Sequence, residues 1–258
     1  MPMNPRLLRP LATRGLDADA RTYIAAVEAA DGETLEQGVK TAINDFVTGC
    51  KSDGIWDAIK ASCILAGART LAGALVPLVG AAPTNNNFTA SDYNRETGLK
   101  GDGSTTYLDS NRAIGDDPQN DAHISAYATT ADQASAFAGA LDASVNGTQI
   151  YNDTVTSYYR ANSSGSVSVA GTLPTGLSGV SRSSAANIDY LRSGSVVNVS
   201  NASASSSALN IWVFARNYST SQQFSAARIA FYSIGESLDL AALDARVSAL
   251  ITAIGNAI

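Results

Sequence analysis

Apolar residues in the first third of the chain recur at steps of three and four, which is the spacing of one buried helix face. The first such segment follows Asp17 and Asp19, either of which can cap a helix, and it ends at Gly32. A second helix is predicted to begin near Thr34. Its buried face comprises Leu35, Val39, Ala42, Ile43, Phe46, Val47 and Cys50.

A third helical segment is predicted after Ser52, which is a suitable cap. Glycines and Pro77 end the regular pattern. Residues 17–80 are therefore expected to form a compact helical module. The apolar positions of its third segment share one side of a helix: Trp56, Ile59, Cys63 and Ile64.

Residues 81–236 have a different pattern, in which short alternating segments are separated by turns containing Gly, Asn and Ser. In residues 208–216, alternation predicts that the odd positions face one way, while Trp212 and Phe214 face the other. Weaker candidate strands bring the total to about ten. They are residues 105–108, 123–129, 148–151, 156–160, 166–169, 177–182, 188–191 and 196–199.

A second clear strand is predicted at residues 226–234, where Ile229 and Phe231 oppose Arg228 and Tyr232. About ten short strands without intervening helices favour an antiparallel β-sandwich. The predicted fold class is mainly β with α, because a helical module precedes the sandwich and a further helix follows it.

That last helix is predicted over residues 237–258. Its apolar residues step by three and four, as in a heptad seam. We expect the seam to pack on the rest of the chain, or alternatively between subunits. The seam residues are Leu240, Leu243, Val247, Leu250 and Ile254.

The composition gives 45% hydrophobic residues in a chain of 258, which suffices for a packed interior without metal or disulfide. The net charge is -6 and the basic residues are scattered, so no nucleic-acid partner is expected. The longest apolar stretch, residues 64–80, contains Arg69 and Pro77, and no membrane insertion is expected. Cys50 and Cys63 lack a CxxC partner and are expected to be buried thiols.

Four blocks of the sequence resemble bacteriophage virion proteins: residues 23–32, 55–61, 98–110 and 231–236. In that group, such modules resemble tail-fibre or other adhesive appendage domains. The block at residues 101–110 is similar to the first strands of concanavalin-like, laminin-G-type jelly rolls. The resemblance implies a jelly-roll sandwich carried on a fibre, baseplate or capsid, and it brings no catalytic motif with it.

Residues 1–16 contain three prolines and three arginines, a composition that disfavours a helix and suits an extended arm. In a virion protein such an arm is expected to anchor the chain along another virion protein, with its arginines in acidic grooves. A disordered leader is the alternative.

The acidic loop around residues 115–121 offers clustered oxygen ligands. Asp116, Asp117 and Asp121 are the candidates for a calcium site, although their spacing matches no EF-hand, and solvated turn chemistry is the alternative. No other cofactor is expected. His123 follows Asp121 closely, but no serine or cysteine is placed to complete a nucleophilic set, so no catalytic residue is assigned.

Aromatic rings at the surface offer apolar faces on which sugars stack. Trp212 alternates within the best strand and is expected in the core. Tyr158 and Tyr159 are adjacent, so they point to opposite faces and at least one should be exposed. Tyr151 is a further candidate ring, and the preferred glycan contacts are Tyr158, Tyr159, Tyr190 and Tyr218.

These expectations favour a non-enzymatic virion protein that is made in the host cytoplasm and exposed on the particle. The first hypothesis is a tail-fibre or receptor-binding subunit, a homotrimer whose lectin-like sandwich faces a host surface glycan. The second is a capsid decoration, cement or head-fibre protein. The third is a glycan-depolymerising enzyme that uses carboxylates such as Asp117 or Asp121.

Overall fold

The computed structural model describes residues 15–205, 207–219 and 222–258. The predicted arm at residues 1–16 therefore lies outside the described residues, except for its last two. Among the described residues, no helix is both long and apolar enough to span a membrane. The helices are α1 (Ala18–Asp31), α2 (Gln37–Ser52), the single turn α3 (Leu71–Ala74) and α4 (Leu240–Gly255).

The caps of α1 form as the sequence predicts. Asp17 is the N-cap, and its carboxylate accepts a hydrogen bond from the backbone N–H of Asp19 at 2.9 Å. Gly32 ends the helix with φ 68°, a left-handed conformation that glycine adopts without steric cost.

Cys50 and Cys63 are both buried free thiols, which confirms the expectation from the sequence.

The strands are numbered in chain order. They form two sheets in which the strand pairings of the described residues are antiparallel, apart from β15, which runs parallel to β7. The strands are β1 (Ile59–Ile64), β2 (Thr84–Asn86), β3 (Tyr93–Asn94), β4 (Gly98–Lys100), β5 (Tyr107–Ala113), β6 (Ala122–Thr130), β7 (Ala136–Leu141), β8 (Gly147–Asn152), β9 (Thr156–Ser163), β10 (Val167–Ala170), β11 (Gly176–Arg182), β12 (Asn187–Arg192), β13 (Ser195–Ser200), β14 (Asn210–Val213), β15 (Arg216–Asn217) and β16 (Arg228–Gly235).

One sheet has the spatial order β13-β12-β11-β6-β16-β4-β3, with β1 also paired to β16, and we call it the helix-covered sheet. The other has the order β10-β9-β8-β7-β14-β5-β2, with β15 paired to β7, and we call it the open sheet. The two sheets pack face to face. The predicted fold class, an antiparallel sandwich between N-terminal helices and a C-terminal helix, is confirmed.

Two hydrophobic cores follow from the alternation of side chains along the strands. The sandwich core lies between the sheets and contains residues such as Ile124 of β6 and Ile150 of β8. The helical core lies between the helices and the outer side of the helix-covered sheet. There, Phe231 of β16 packs edge-on against Phe46 of α2, with ring centroids 5.5 Å apart. Each such buried side chain stabilises the fold by about 1.5–3 kcal/mol.

The heptad-spaced residues of α4 all face the helical core. Helix α4 packs on α2 and on strands β11 and β12 of the same chain. These side chains are therefore buried against the chain itself: Leu240, Leu243, Val247, Leu250 and Ile254.

The predicted third helix is wrong. Residues Ile59–Ile64 form β1, which pairs antiparallel with β16 and places Cys63 beside Tyr232. Cys63 lies in the sandwich core, whereas Ile64 lies in the helical core. The periodicity of a short apolar run is compatible with either a helix or a strand, and here the run forms a strand because it pairs with the free edge of β16.

Two predicted strands form where the sequence places them, but some of their side chains face the opposite side of the sheet from the one predicted. A bulge near Ile229 shifts the register of β16, so Phe231 turns to the helical core while Ile229 and Tyr232 stay in the sandwich core. The strand at residues 208–216 breaks at Phe214, which has φ 68° and is buried in the sandwich core.

Every strand residue in the helical core belongs to the helix-covered sheet. The helices thus cover one side of the sandwich. The outer side of the open sheet is the face where functional side chains remain accessible.

Candidate functional site

The outer face of the open sheet carries an open groove of about 380 Å³ across β8, β9, β10 and β15. Aromatic and cationic side chains dominate its lining. We call it the tyrosine-arginine groove and define it by Gln149, Tyr151, Tyr158, Arg160, Arg216 and Tyr218.

The pairing of β8 with β9 builds the centre of the groove. It sets Tyr151 directly opposite Tyr158, and Gln149 directly opposite Arg160. Alternate residues of a strand share a face, so these four project away from Ile150, which lies in the sandwich core.

Gly139 on β7 keeps the floor of the groove low. It pairs with Gln149 on one side and with Arg216 on the other. A Cβ at this position would lie 2.7 Å from the Cβ of Gln149, closer than real contacts allow. Because the side chain is missing, the Arg216 guanidinium reaches across, and its Nη1 donates to Oε1 of Gln149 at 2.9 Å.

The rings of the groove form a continuous stack. Tyr151 and Tyr158 lie nearly parallel, with centroids 4.6 Å apart and an interplanar angle of 11°. The Arg216 guanidinium carbon lies 5.0 Å from the Tyr151 centroid and 5.1 Å from that of Tyr218, within cation–π range. At the far end, the Tyr158 hydroxyl donates to Oδ2 of Asp153 at 2.8 Å, and this bond raises the Tyr158 pKa.

A polar network fixes the second row. The Ser166 hydroxyl oxygen accepts from Nε2 of Gln149 at 3.0 Å and from Nε of Arg160 at 3.1 Å. Nη1 of Arg160 donates to the backbone carbonyl of Val145. The guanidinium is therefore held in one orientation before any ligand arrives.

The two arginines make a local cationic spot in an acidic protein. Each is only 6% exposed. Burial lowers the pKa of both guanidinium groups, and the nearby charge of Arg216 lowers that of Arg160 further. Both remain charged at neutral pH, since arginine is not deprotonated in proteins.

Of the four tyrosines predicted as glycan contacts, two line the groove and two do not. Tyr158 and Tyr218 line the groove. Tyr159 is fully buried in the sandwich core, stacked on Tyr190 of the helix-covered sheet at 4.9 Å. Tyr159 is therefore a core residue, Tyr190 is partly buried against the same core, and neither lines this groove.

Sequence reasoning missed Arg160, Arg216 and Gln149. The available signal was alternation: Arg160 and Gln149 sit one residue from core positions on predicted strands, and such positions face outward. No local signal connects Arg216 with them, because it lies 67 residues from its partner Gln149.

The prediction that Trp212 is a core residue is wrong. Its neighbours Ile211 and Val213 face the sandwich core, so Trp212 lies on the outer face of the open sheet. It is half-buried there by stacking on Tyr107, with centroids 4.0 Å apart.

The carboxylates of the acidic loop each serve the local structure. Asp117 is buried and forms a two-point ion pair with Arg112. Asp116 accepts a backbone N–H, and Asp121 accepts both the N–H and the hydroxyl of Ser237 at 2.7 and 2.6 Å. Within residues 15–205, 207–219 and 222–258, no three His, Cys, Asp or Glu side chains are grouped so that they could hold a metal ion.

Compared with models of known protein families and with curated protein sequences, the chain matches none. Among solved structures, it is similar to the botulinum neurotoxin serotype D binding domain, with a TM-score of 0.50 and 8% identity, over 75% of this chain and 51% of that one. It also matches the receptor binding domain of the botulinum neurotoxin C/D mosaic serotype (TM-score 0.47, 7% identity, 75% and 51% covered). A third match is to domains LG4-5 of the mouse laminin alpha1 chain (TM-score 0.36, 14% identity, 64% and 47% covered).

At such low identity the likeness shows the fold alone, a β-sandwich of the jelly-roll class. The chain spans about half the length of the first two structures. Both of those neighbours are binding domains by description.

Proposed function

We propose that this chain is a glycan-binding module and that the tyrosine-arginine groove is its binding surface. The observation that carries the proposal is the combination of aromatic faces and fixed polar groups on the uncovered side of the sandwich. A saccharide ring has apolar C–H faces and a rim of hydroxyl groups. Tyr158, which stands at the end of the ring stack, suits such a face, and Gln149 with Ser166 suits the hydroxyls.

The groove is also held ready for a ligand. The tyrosines are stacked on each other and on Arg216, and Arg160 is bound to a backbone carbonyl and to Ser166. Side chains that are already ordered lose little conformational entropy on binding, which favours affinity in a shallow site.

We propose binding without catalysis. A glycan hydrolase of the common type needs two carboxylates on either side of the scissile bond. Among the described residues, no carboxylate lines the tyrosine-arginine groove, and Asp153, an acidic neighbour at its edge, is bound by Tyr158.

In finer terms, we propose that the module belongs to a bacteriophage tail fibre, exposed on the virion and directed at a host surface glycan. This rests on the resemblance of residues 23–32, 55–61, 98–110 and 231–236 to phage virion proteins. A homotrimer would present three grooves, and linked weak sites gain avidity without new contacts. A capsid decoration or head-fibre role is the second candidate, based on the same blocks.

The direct test is an array of bacterial surface saccharides probed with the parent chain, Tyr158→Ala and Tyr158→Phe. We expect saccharide binding by the parent, a loss of at least about tenfold in Tyr158→Ala, and near-parent binding in Tyr158→Phe, which keeps the ring. Arg21→Gln, an exposed change on α1, is the matched control. No saccharide binding by the folded parent, or full binding by Tyr158→Ala, would refute the proposal.

The placement on a virion has its own test. Immunogold electron microscopy with an antibody against residues 81–236 should label the tail end of the particle if the chain is a tail-fibre subunit. Label spread over the head would favour the decoration role, and the absence of label would remove both.

A further inference from the structure

We propose that the ligand of the tyrosine-arginine groove is an acidic saccharide, whose carboxylate or sulfate group is bound by Arg160 and Arg216. This inference rests on the proposed function and adds the chemical class of the ligand to it.

Arg160 is a buried cation that lines the groove. It is only 6% exposed, and within the described part of the chain it forms no ion pair. Its bonds go to a hydroxyl and to a backbone carbonyl, which engage Nε and Nη1. A buried charge that lacks a partner is costly, and natural proteins pair such groups.

A second buried guanidinium lies close enough to oppose it. Arg216 is also 6% exposed, and its positive charge acts on Arg160. Both are tied to the same short network, since Gln149 bonds Arg216 directly and shares Ser166 with Arg160. Two like charges held together in a low-dielectric site are relieved when an anion binds between them.

Among the described residues, no carboxylate forms an ion pair with Arg160. Asp142 attracts Arg160, but its Oδ1 accepts the backbone N–H groups of Ser144 and Asn146, both at 2.8 Å. Asp153 is bound to Tyr158 at the opposite end of the stack. The described residues that line the groove include two cations and no carboxylate, although the whole chain carries -6.

The shape of the site selects a sugar acid over a free anion. The stacked rings of Tyr151 and Tyr158 adjoin the arginine row on the same face, because the two pairs are two residues apart on β8 and β9. A saccharide ring that lies against Tyr158 thus places a carboxylate or sulfate substituent near Arg160, two residues further along β9. The planar fork of arginine matches the geometry of both groups.

The test compares matched probes on the intact chain by isothermal titration. We use a glucuronic-acid oligosaccharide, the same oligosaccharide as its methyl ester, and a 6-sulfated neutral counterpart. We expect at least about tenfold tighter binding of the acid or of the sulfated form than of the ester, because a hydrogen bond to a charged group is the stronger kind. This preference should shrink as salt is raised. Which of the two anionic forms binds better identifies the substituent.

Variants locate the effect. In Arg160→Gln we expect the preference for the anionic probes over the ester to fall to near unity, and Arg160→Lys should regain only part of it. Arg21→Gln should leave both unchanged. Thermal unfolding reports whether each variant is folded, and the comparison of acid with ester on the parent needs no variant.

Equal binding of the acid, sulfated and ester forms by the parent would overturn this inference and leave the proposed glycan-binding function intact. A preference that survives in folded Arg160→Gln would also overturn it. The absence of binding to every saccharide, on this set and on the array, would instead overturn both.

Discussion

Acidification from pH 7 to pH 5 is expected to lower the free energy of unfolding by about 2 kcal/mol through one residue, His123. This is the only histidine in the chain. It is fully buried between Ser233, whose Oγ lies 2.6 Å from Nε2, and the backbone carbonyl of Glu236, which lies 2.5 Å from Nδ1. In the neutral ring, Nδ1–H donates to the carbonyl and Nε2 accepts from the hydroxyl.

Burial lowers the pKa of His123 from 6.5 to about 4, even though the hydrogen bond to Glu236 acts in the opposite direction. The unfolded chain therefore binds a proton that the native chain excludes. Stability from this residue is fully present above pH 6.5 and is lost as the pH falls toward 4. Integrating the linkage between pH 7 and pH 5 gives a loss of about 2 kcal/mol, and the loss approaches about 3 kcal/mol below pH 4.

Other groups also titrate on acidification, so the measurement must be differential. Burial raises the pKa of Asp117, against the effect of Arg112, and this group changes stability in the opposite sense as the pH falls. The assay is urea unfolding of the parent and of His123→Gln at pH 7, 6 and 5. Gln should lower stability at pH 7 but should remove about 2 kcal/mol of the pH dependence.

Two outcomes would refute the reasoning. One is the same pH dependence in the parent and in His123→Gln. The other is an imidazole that titrates near pH 6.5 in the native protein by NMR, since that would mean that the ring is not desolvated.

Two further predictions concern packing. Phe231→Ala should lower the free energy of unfolding, measured in urea, by about 3–5 kcal/mol, because it opens a cavity in the helical core. The control Val196→Ala, at an exposed edge position, should change it by no more than about 0.5 kcal/mol. Equal effects of the two changes would contradict the two-core description. Gly139→Ala should lower the stability measured by thermal unfolding by about 1–3 kcal/mol and should distort the groove floor. In the control Gly165→Ala, the added Cβ meets no atom within 4 Å, so its stability should be nearly unchanged. Unchanged stability of Gly139→Ala would show that the floor has space for a Cβ.

The sequence by itself determined the elements whose pattern is local. The cap at Asp17, the stop at Gly32 and the apolar spacing along α2 and α4 are properties of neighbouring residues, and all appear in the structure. Alternation likewise placed most strands of the sandwich within a few residues. Of the groove, the sequence identified the candidate rings Tyr151, Tyr158 and Tyr218, but alternation left open whether Tyr158 or Tyr159 faces outward.

The features that depend on which strands pair with each other followed only from the packing of the whole chain. Residues 59–64 became a strand because β16 offered an edge, and a bulge in β16 turned Phe231 toward the helices. The groove exists because β8 and β15 both pair with β7 at Gly139, while β9 pairs with β8. This arrangement brings Arg216 to Gln149, which is 67 residues away in the sequence. Short-range periodicity carries no information about register or about distant partners, since these are chosen by the free energy of the whole packed sandwich.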